Sequence, residues 1–228
     1  NGGTVKNLTV KSSYFAPSTS SAENVGAIVG AVLAGSVENC TSEGNLFDDG
    51  KALGGVVGSL NGTLLRCGSV RNDFHAANAL TGGVAGSLGS NAVASDCYAL
   101  DNYLYTERPG TLFGTLAKTA DVSCCYAVSR VQNAAEDFTV FPIASAADGA
   151  AVENIFFIDR NAYMPERTSI DGTTPINVTE LASGALCVRL NGERTGELFG
   201  QDLSVKTGYP VPGGAEVFRI TACDGSTV

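Results

Sequence analysis

Apolar residues in this chain come in short segments that return at a fixed interval, with polar stretches of uneven length between them. The segments VGAIVGAV (25–32), LGGVVGSL (53–60), TGGVAGSL (81–88) and PGTLFGTL (109–116) stand 28 residues apart. Within them, Ile28, Val56, Val84 and Leu112 share a face with Gly30, Gly58, Gly86 and Gly114 and with Val32, Leu60, Leu88 and Leu116. That alternation is the period of a β-strand, not of a helix. Helical repeats would carry long runs of good helix formers, whereas here β-branched residues lie between fixed glycines. The opposite face, Val29, Val57, Ala85 and Phe113, is expected to point outward although it is apolar, either under loops or as a contact patch.

A second element follows each of these segments: VENCTS (37–42), LLRCGS (64–69), ASDCYA (94–99) and VSCCYA (122–127), flanked by the degenerate copies VKNLTV (5–10) and VENIFF (152–157). Units that bury little alone must stack on their neighbours. The expected fold is all-β, a parallel β-helix or β-solenoid of about six coils with a 28-residue period. Its repeat array occupies residues 1–161, and a C-terminal capping segment occupies 162–228. Glycine within a strand marks a bend or a close backbone approach. The columns Gly26, Gly54, Gly82, Gly110 and Gly30, Gly58, Gly86, Gly114 should therefore turn the coil or admit the opposite wall. The polar stretches 43–51, 71–78, 101–108 and 130–137 vary in length and are expected to be loops on one side.

Composition narrows the partners more than the fold. Glycine contributes 28 of 228 residues and proline 7, far from the one-in-three glycine of collagen. A net charge of −9 argues against nucleic acid, whose affinity is carried by Lys and Arg. The longest apolar run, 25–34, is about half of what a membrane-crossing helix needs, so no transmembrane segment is expected.

The pattern G-G-x-V-G-x-L followed by V-x-N-C-x-[SA] resembles the GLUG motif, in four good copies over 25–127 and less regularly over 2–161. That resemblance implies a parallel β-helical region of a bacterial cell-surface protein, or a non-catalytic part of an IgA-specific metallopeptidase. The tail is similar to the end of such proteins from Leu181 to Asn191 with Gly192, at Gly200-Gln201-Asp202 and at Tyr209-Pro210-Val211, although Leu198 or Phe199 stands where a tryptophan is usual. Read physically, Thr179 as N-cap, the apolar stripe Leu181, Ala185 and Val188, and a stop at Asn191-Gly192 predict one short helix in the cap. The stretch 216–222 suggests a final strand.

Seven cysteines raise the question of metal or disulfides. Cys40, Cys67, Cys97 and Cys125 share a repeat position that Leu8 and Ile155 hold in the flanking copies, so the position takes a small apolar filler and the thiols form a buried ladder. Neighbouring coils would stand about 4.8 Å apart, which leaves pairing open. A linear stack does not converge on zinc, so no metal or other cofactor is expected. Cys187 and Cys223 lie in the tail. His75, the only histidine, sits in a polar stretch, and no catalytic triad is apparent. Asp48, Asp49 and Asp101 are candidates for carbohydrate chemistry but lack a matching basic cluster. Sequons begin at Asn7, Asn39, Asn61 and Asn177; Asn7, Asn39 and Asn154 share a repeat position that suits a corner.

The binding candidates are tyrosines. Tyr98 and Tyr126 follow the inward cysteine and should point outward, with Tyr103 and Tyr105 next along the chain. Such a ladder stacks on sugars, buries at a protein interface or simply stabilises the sheet. The expectation is a non-catalytic, secreted or cell-surface module, an adhesin-like scaffold or binding segment for a host or cell-surface glycan or protein. The alternative is a carbohydrate-active β-helix of the polysaccharide lyase or hydrolase kind.

Overall fold

The computed structural model describes residues 2–17, 24–76, 79–106, 109–132, 141–159, 170–196, 198–205, 208–215 and 217. Two compact units divide the chain, Asn1–Pro175 and Ile176–Val228.

The first unit is a parallel β-solenoid in which a full coil passes through five short strands, each stacked on its equivalents in the neighbouring coils. Ladder one holds Asn24–Gly26, Ala52–Gly54, Leu80–Gly82 and the start of Pro109–Leu116. Ladder two holds Val29–Val32, Val57–Leu60, Ala85–Leu88, the end of Pro109–Leu116 and Phe141–Ala146. Ladder three runs through Gly3–Lys6, Gly35–Glu38, Thr63–Leu65, Val93–Ser95 and the openings of Asp121–Gln132 and Ala151–Asp159. Ladder four runs through Thr9–Lys11, Thr41–Glu43, Gly68–Val70, the start of Tyr98–Tyr105, the middle of Asp121–Gln132 and the end of Ala151–Asp159. Thr173–Pro175 is its last rung. Ladder five holds Tyr14–Phe15, Leu46–Asp48, Asp73–His75 and the ends of Tyr98–Tyr105 and Asp121–Gln132. The solenoid makes about five turns rather than six. The first copy enters at ladder three, so the flanking copies contribute only parts of coils.

Ladder five is where the polar stretches were expected to be loops. Within them Leu46–Asp48, Asp73–His75 and the ends of Tyr98–Tyr105 and Asp121–Gln132 are strands instead, because one inward residue per rung is enough to anchor each. Phe47, Phe74 and Leu104 are fully buried in register. The Phe15, Phe47 and Phe74 rings stack with centroids 5.0 and 4.7 Å apart.

Among the described residues the interior of the solenoid includes two packed lobes. The larger contains the inward residues of ladders two to four, among them Leu60, Leu64, Cys67, Leu88, Val122 and Ile155. The smaller contains Phe47, Leu53, Phe74 and Leu104. Between them the wall pinches inward. A Cβ on Gly55 would lie 2.8 Å from Ser69 Cβ, and one on Gly83 would lie 3.0 Å from Ala99 Cβ, so ladder four touches the bend between ladders one and two directly. The two glycine columns meet in the same wall. A Cβ on Gly82 would stand 2.6 Å from Gly114 N, and one on Gly86 2.6 Å from Leu53 N. No side chain fits there, which is why the 28-residue register is kept in glycine.

The bend at Gly55 and Val56 also breaks the expected alternation. Val57, Ala85 and Phe113, expected to face outward, are fully buried in the larger lobe together with Val56, Val84 and Leu112.

Asn7, Asn39, Arg66, Asp96, Cys124 and Asn154 form the corner between ladders three and four, with φ between 51° and 58°. Asparagine and aspartate enter this left-handed region most easily after glycine. Ser12, Gly44, Arg71 and Asp101 repeat the device between ladders four and five. The corner amides still bond across coils, as when Arg66 N–H donates to Ser95 O at 3.0 Å.

In the second unit the expected single helix is two. Helix α1 spans Val178–Ala182 and is capped by Asn177, not Thr179, through a reciprocal box with Glu180. Helix α2 spans Ala185–Asn191. Gly184, at φ 81°, separates them. The tail residues then knit the unit. Asn191 Oδ1 accepts from Phe199 N–H at 3.0 Å while its Nδ2 donates to Phe199 O at 2.8 Å. Buried Gln201 donates to Leu181 O and Gly208 O at 2.7 and 2.8 Å. Apart from Val217, the strand expected over 216–222 lies outside the described residues, as does Cys223.

Candidate functional site

Two inward columns of ladder four and its corners carry the polar chemistry of the interior. In the first, Cys40, Cys67, Cys97 and Cys125 are free, fully buried thiols. Each donates to the carbonyl two residues back, at 3.3 Å to Glu38, 3.4 Å to Leu65, 3.2 Å to Ser95 and 3.1 Å to Ser123. The hydrogen bond with Cys40, together with burial, raises the Cys67 thiol above its ordinary value. Burial, then contact with Cys125, does the same for Cys97. Cys67 and Cys97 are thus held protonated, Cys40 is lowered as the partner of Cys67 in that hydrogen bond, and all four side chains are packed as core. In the tail, burial pushes the Cys187 thiol up to about 11.

The second column is asparagine, which is not among the residues expected to carry chemistry. Asn45, Asn72 and Asn102 are buried at the next inward corner. Asn72 Nδ2 donates to Ser42 O at 3.0 Å and Ser69 Oγ at 2.9 Å, its Oδ1 accepts from Asn45 N–H at 2.8 Å, and its own N–H donates to Asn102 Oδ1 at 2.9 Å. The signal was present in the chain. Each of Cys40, Cys67 and Cys97 is followed five residues later by Asn.

The four candidate tyrosines part into two pairs. Tyr98 and Tyr126 occupy an outward register position on ladder four, yet both are buried, Tyr126 completely. The Tyr98 ring lies over Gly68, where a Cβ would collide with it, and stacks on Tyr126 at 6.2 Å between centroids. Burial raises the Tyr98 phenol above its usual range. Their outward neighbours Leu100, Val128, Phe156 and Ile158 are buried as well, so this part of ladder four offers no accessible tyrosine. The bland alternative, sheet stabilisation, describes this pair.

Tyr103 and Tyr105 stand instead on the outer face of ladder five. That face has two columns. One places Tyr14, Leu46, Asp73 and Tyr103 in register, the other Asp48, His75 and Tyr105. Tyr14 is 61 % exposed and Tyr105 36 %. The His75 ring lies 6.1 Å from that of Tyr103 and 6.0 Å from that of Tyr105. His75 Nε2 lies 2.9 Å from Asp73 Oδ1. The Tyr14 hydroxyl donates to Asp48 Oδ2 at 2.7 Å, which holds the phenol proton above its ordinary range. His75 is thus a strand residue, not a loop residue, and Tyr14 and Asp73 stand with it on the same outer face.

The three aspartates considered for carbohydrate chemistry are not brought together. Asp48 sits in the outer column beside His75, Asp49 turns the chain at φ 68°, and Asp101 occupies the corner that Gly44 and Arg71 hold in earlier coils. Among the described residues no group of three or more His, Cys, Asp or Glu side chains is placed to hold a metal ion. Among them, too, no helix is long and apolar enough to cross a membrane.

A family model of the GLUG motif matches residues 21–46, which include the first of the four repeat copies. No curated protein and no solved structure matches the chain. The three later copies are tied to the first by parallel register, Gly26 to Gly54, Gly54 to Gly82 and Gly82 to Gly110. The chain is a parallel β-solenoid that carries the GLUG motif.

Proposed function

We propose that the chain is a non-catalytic β-helical module, secreted or displayed at a bacterial cell surface, which acts as an adhesin-like scaffold and binds a glycan or a protein through the outer face of ladder five. The observation that carries this reading is the accessible set Tyr14, His75, Tyr103 and Tyr105 on three of four successive, register-locked rungs. Rigid strands hold such side chains more firmly than loops would. The GLUG motif supports the scaffold part of the reading.

The test is a glycan and surface-protein binding screen run beside a hydrolase and lyase activity screen. Binding that is lost in Tyr103→Ala with Tyr105→Ala, without turnover, is the expected result. Turnover of a polysaccharide that is lost on changing Asp48, Asp49 or Asp101 would overturn it in favour of an enzyme.

A further inference from the structure

We infer that the first coil is an acceptor edge, on which an acidic, extended segment of a partner protein adds one more parallel rung. Its carboxylates meet Lys6 and Lys11, and its apolar side chains cover Val5, Leu8 and Phe15. This site lies apart from the outer face of ladder five and does not depend on the function proposed for that face.

The two ends of the solenoid are finished differently. Thr173–Pro175 lies on Ile155–Phe157 as the last rung of ladder four, and its proline has no N–H to offer a further strand. The first coil has no such cover. Among the described residues Gly3–Lys6, Thr9–Lys11, Tyr14–Phe15, Asn24–Gly26 and Val29–Val32 are each paired on one side only. Inward residues of this coil are apolar and lie open. Val5 is 37 % exposed where Val37, Leu64, Ala94 and Val122 are buried in register, and Leu8 is 43 % exposed at the position of the buried cysteines. Phe15 ends the stack of Phe47 and Phe74 against an open cleft of about 300 Å³, lined also by Tyr14, Val25, Gly26 and Gly30. Later coils bury these positions by stacking, so what fits here is another rung rather than a globular surface.

Charge selects the occupant. Residues 2–17 and 24–34 hold Lys6 and Lys11 and no carboxylate, in a chain of net charge −9. On the next rung Glu38 and Glu43 stand in register with these lysines. Glu43 is paired with Lys11 on one side and with Arg71 on the other, so the column alternates in sign and Lys11 ends it. The same alternation carried one rung outward calls for carboxylates five residues apart. A lysine edge repels another copy of itself, which is how such edges are kept from self-pairing, but it accepts a strand of opposite charge.

The probe is a blocked peptide of residues 35–48 with Cys40→Leu, the segment that already lies on 3–15 in this register inside the solenoid. It brings Glu38, Glu43 and Phe47 to the edge. Fluorescence anisotropy of the labelled peptide, titrated with the full chain, should show saturable binding. Glu38→Lys with Glu43→Lys in the peptide should weaken it at least about tenfold. Lys6→Glu with Lys11→Glu in the chain should do the same, and the two reversals together should restore binding. Hydrogen exchange should slow at the amides of residues 3–15 when peptide is bound. The thermal midpoint shows that the reversed chain is folded, and the peptide reversal needs no altered chain at all. Absence of binding at about 1 mM peptide, binding indifferent to the peptide reversal, or protection elsewhere than 3–15 overturns the inference and leaves the ladder-five reading standing. So does a dimer in sedimentation that protects the first coil, since the occupant is then a second copy.

Discussion

The paired-glycine wall and ladder five belong to the same coils but hold them together by opposite means. In ladders one and two the backbones approach so closely that a Cβ on Gly54 would lie 2.6 Å from Ala85 Cα. Nothing but glycine is compatible with that packing. In ladder five the rungs are kept by side chains, the stacked Phe15, Phe47 and Phe74 inside and the Asn45, Asn72 and Asn102 chain at the corner. A side-chain ladder accepts substitution at its outer positions, so chemistry collects there. The glycine wall keeps register and carries none.

The sharpest test of this contrast is to put a side chain in the wall. Gly82→Val should cost at least about 3 kcal/mol, enough to prevent folding or to unfold the solenoid, because the collision is with Gly114 backbone rather than with a flexible side chain. Circular dichroism and the yield of soluble protein read this out. A well-folded Gly82→Val with an unchanged thermal midpoint would show that the wall is looser than its geometry. Next in size, Phe74→Ala should cost about 3–5 kcal/mol by opening a cavity in the smaller lobe. Asn72→Ala should cost about 2–3 kcal/mol, since Ser42 O and the Asn45 N–H lose their partner inside the solenoid. Denaturant unfolding measures both. On the outer face, Tyr105→Ala should change stability by less than about 0.5 kcal/mol while removing binding. A large loss of stability there would make Tyr105 a structural residue.

The smallest effect belongs to the charged rim of ladder four. Glu43 is hydrogen-bonded and ion-paired to Lys11 at 2.6 Å and also paired with Arg71, and these contacts hold its carboxyl below the ordinary 4.5. A carboxylate with a depressed folded pKa stabilises above its unfolded value, and that contribution is lost as pH falls through the folded one. Because the pair is exposed, Lys11→Ala should remove only about 0.3 kcal/mol at neutral pH and nothing below the folded pKa of Glu43. Thermal midpoints across pH 2–7 show the difference.

How much could be read beforehand follows the same division. Gly54, Gly82 and Gly110 fixed a strand ladder because backbone contact tolerates one residue type, and Cys67 and Cys97 marked an inward column because apolar fillers replace them in other copies. Arg66, Asp96 and Cys124 shared a corner with asparagines, and the left-handed φ confirms that corner. Ladder five escaped because a three-residue rung such as Asp73–His75 shows a single inward residue between two polar ones, too short for a period to register. Tyr98 and Tyr126 pointed outward as alternation requires, but alternation says nothing of what covers an outward face. Gly184 was present in the tail all along, yet its positive φ, which splits the helix, is a property of the fold rather than of composition.

The 28-residue pitch also determines how the solenoid would give way under tension. Coils are joined to their neighbours by the same short strands again and again, so a pull on one end loads a single interface at a time, as in other one-dimensional arrays. By the register of ladder three each released coil frees between 27 and 32 residues of chain, which at about 3.4 Å per residue is a contour of about 90–110 Å. A solenoid held at its two ends therefore lengthens in steps of similar size, one coil at a time, and each opened coil relieves the tension on those still closed.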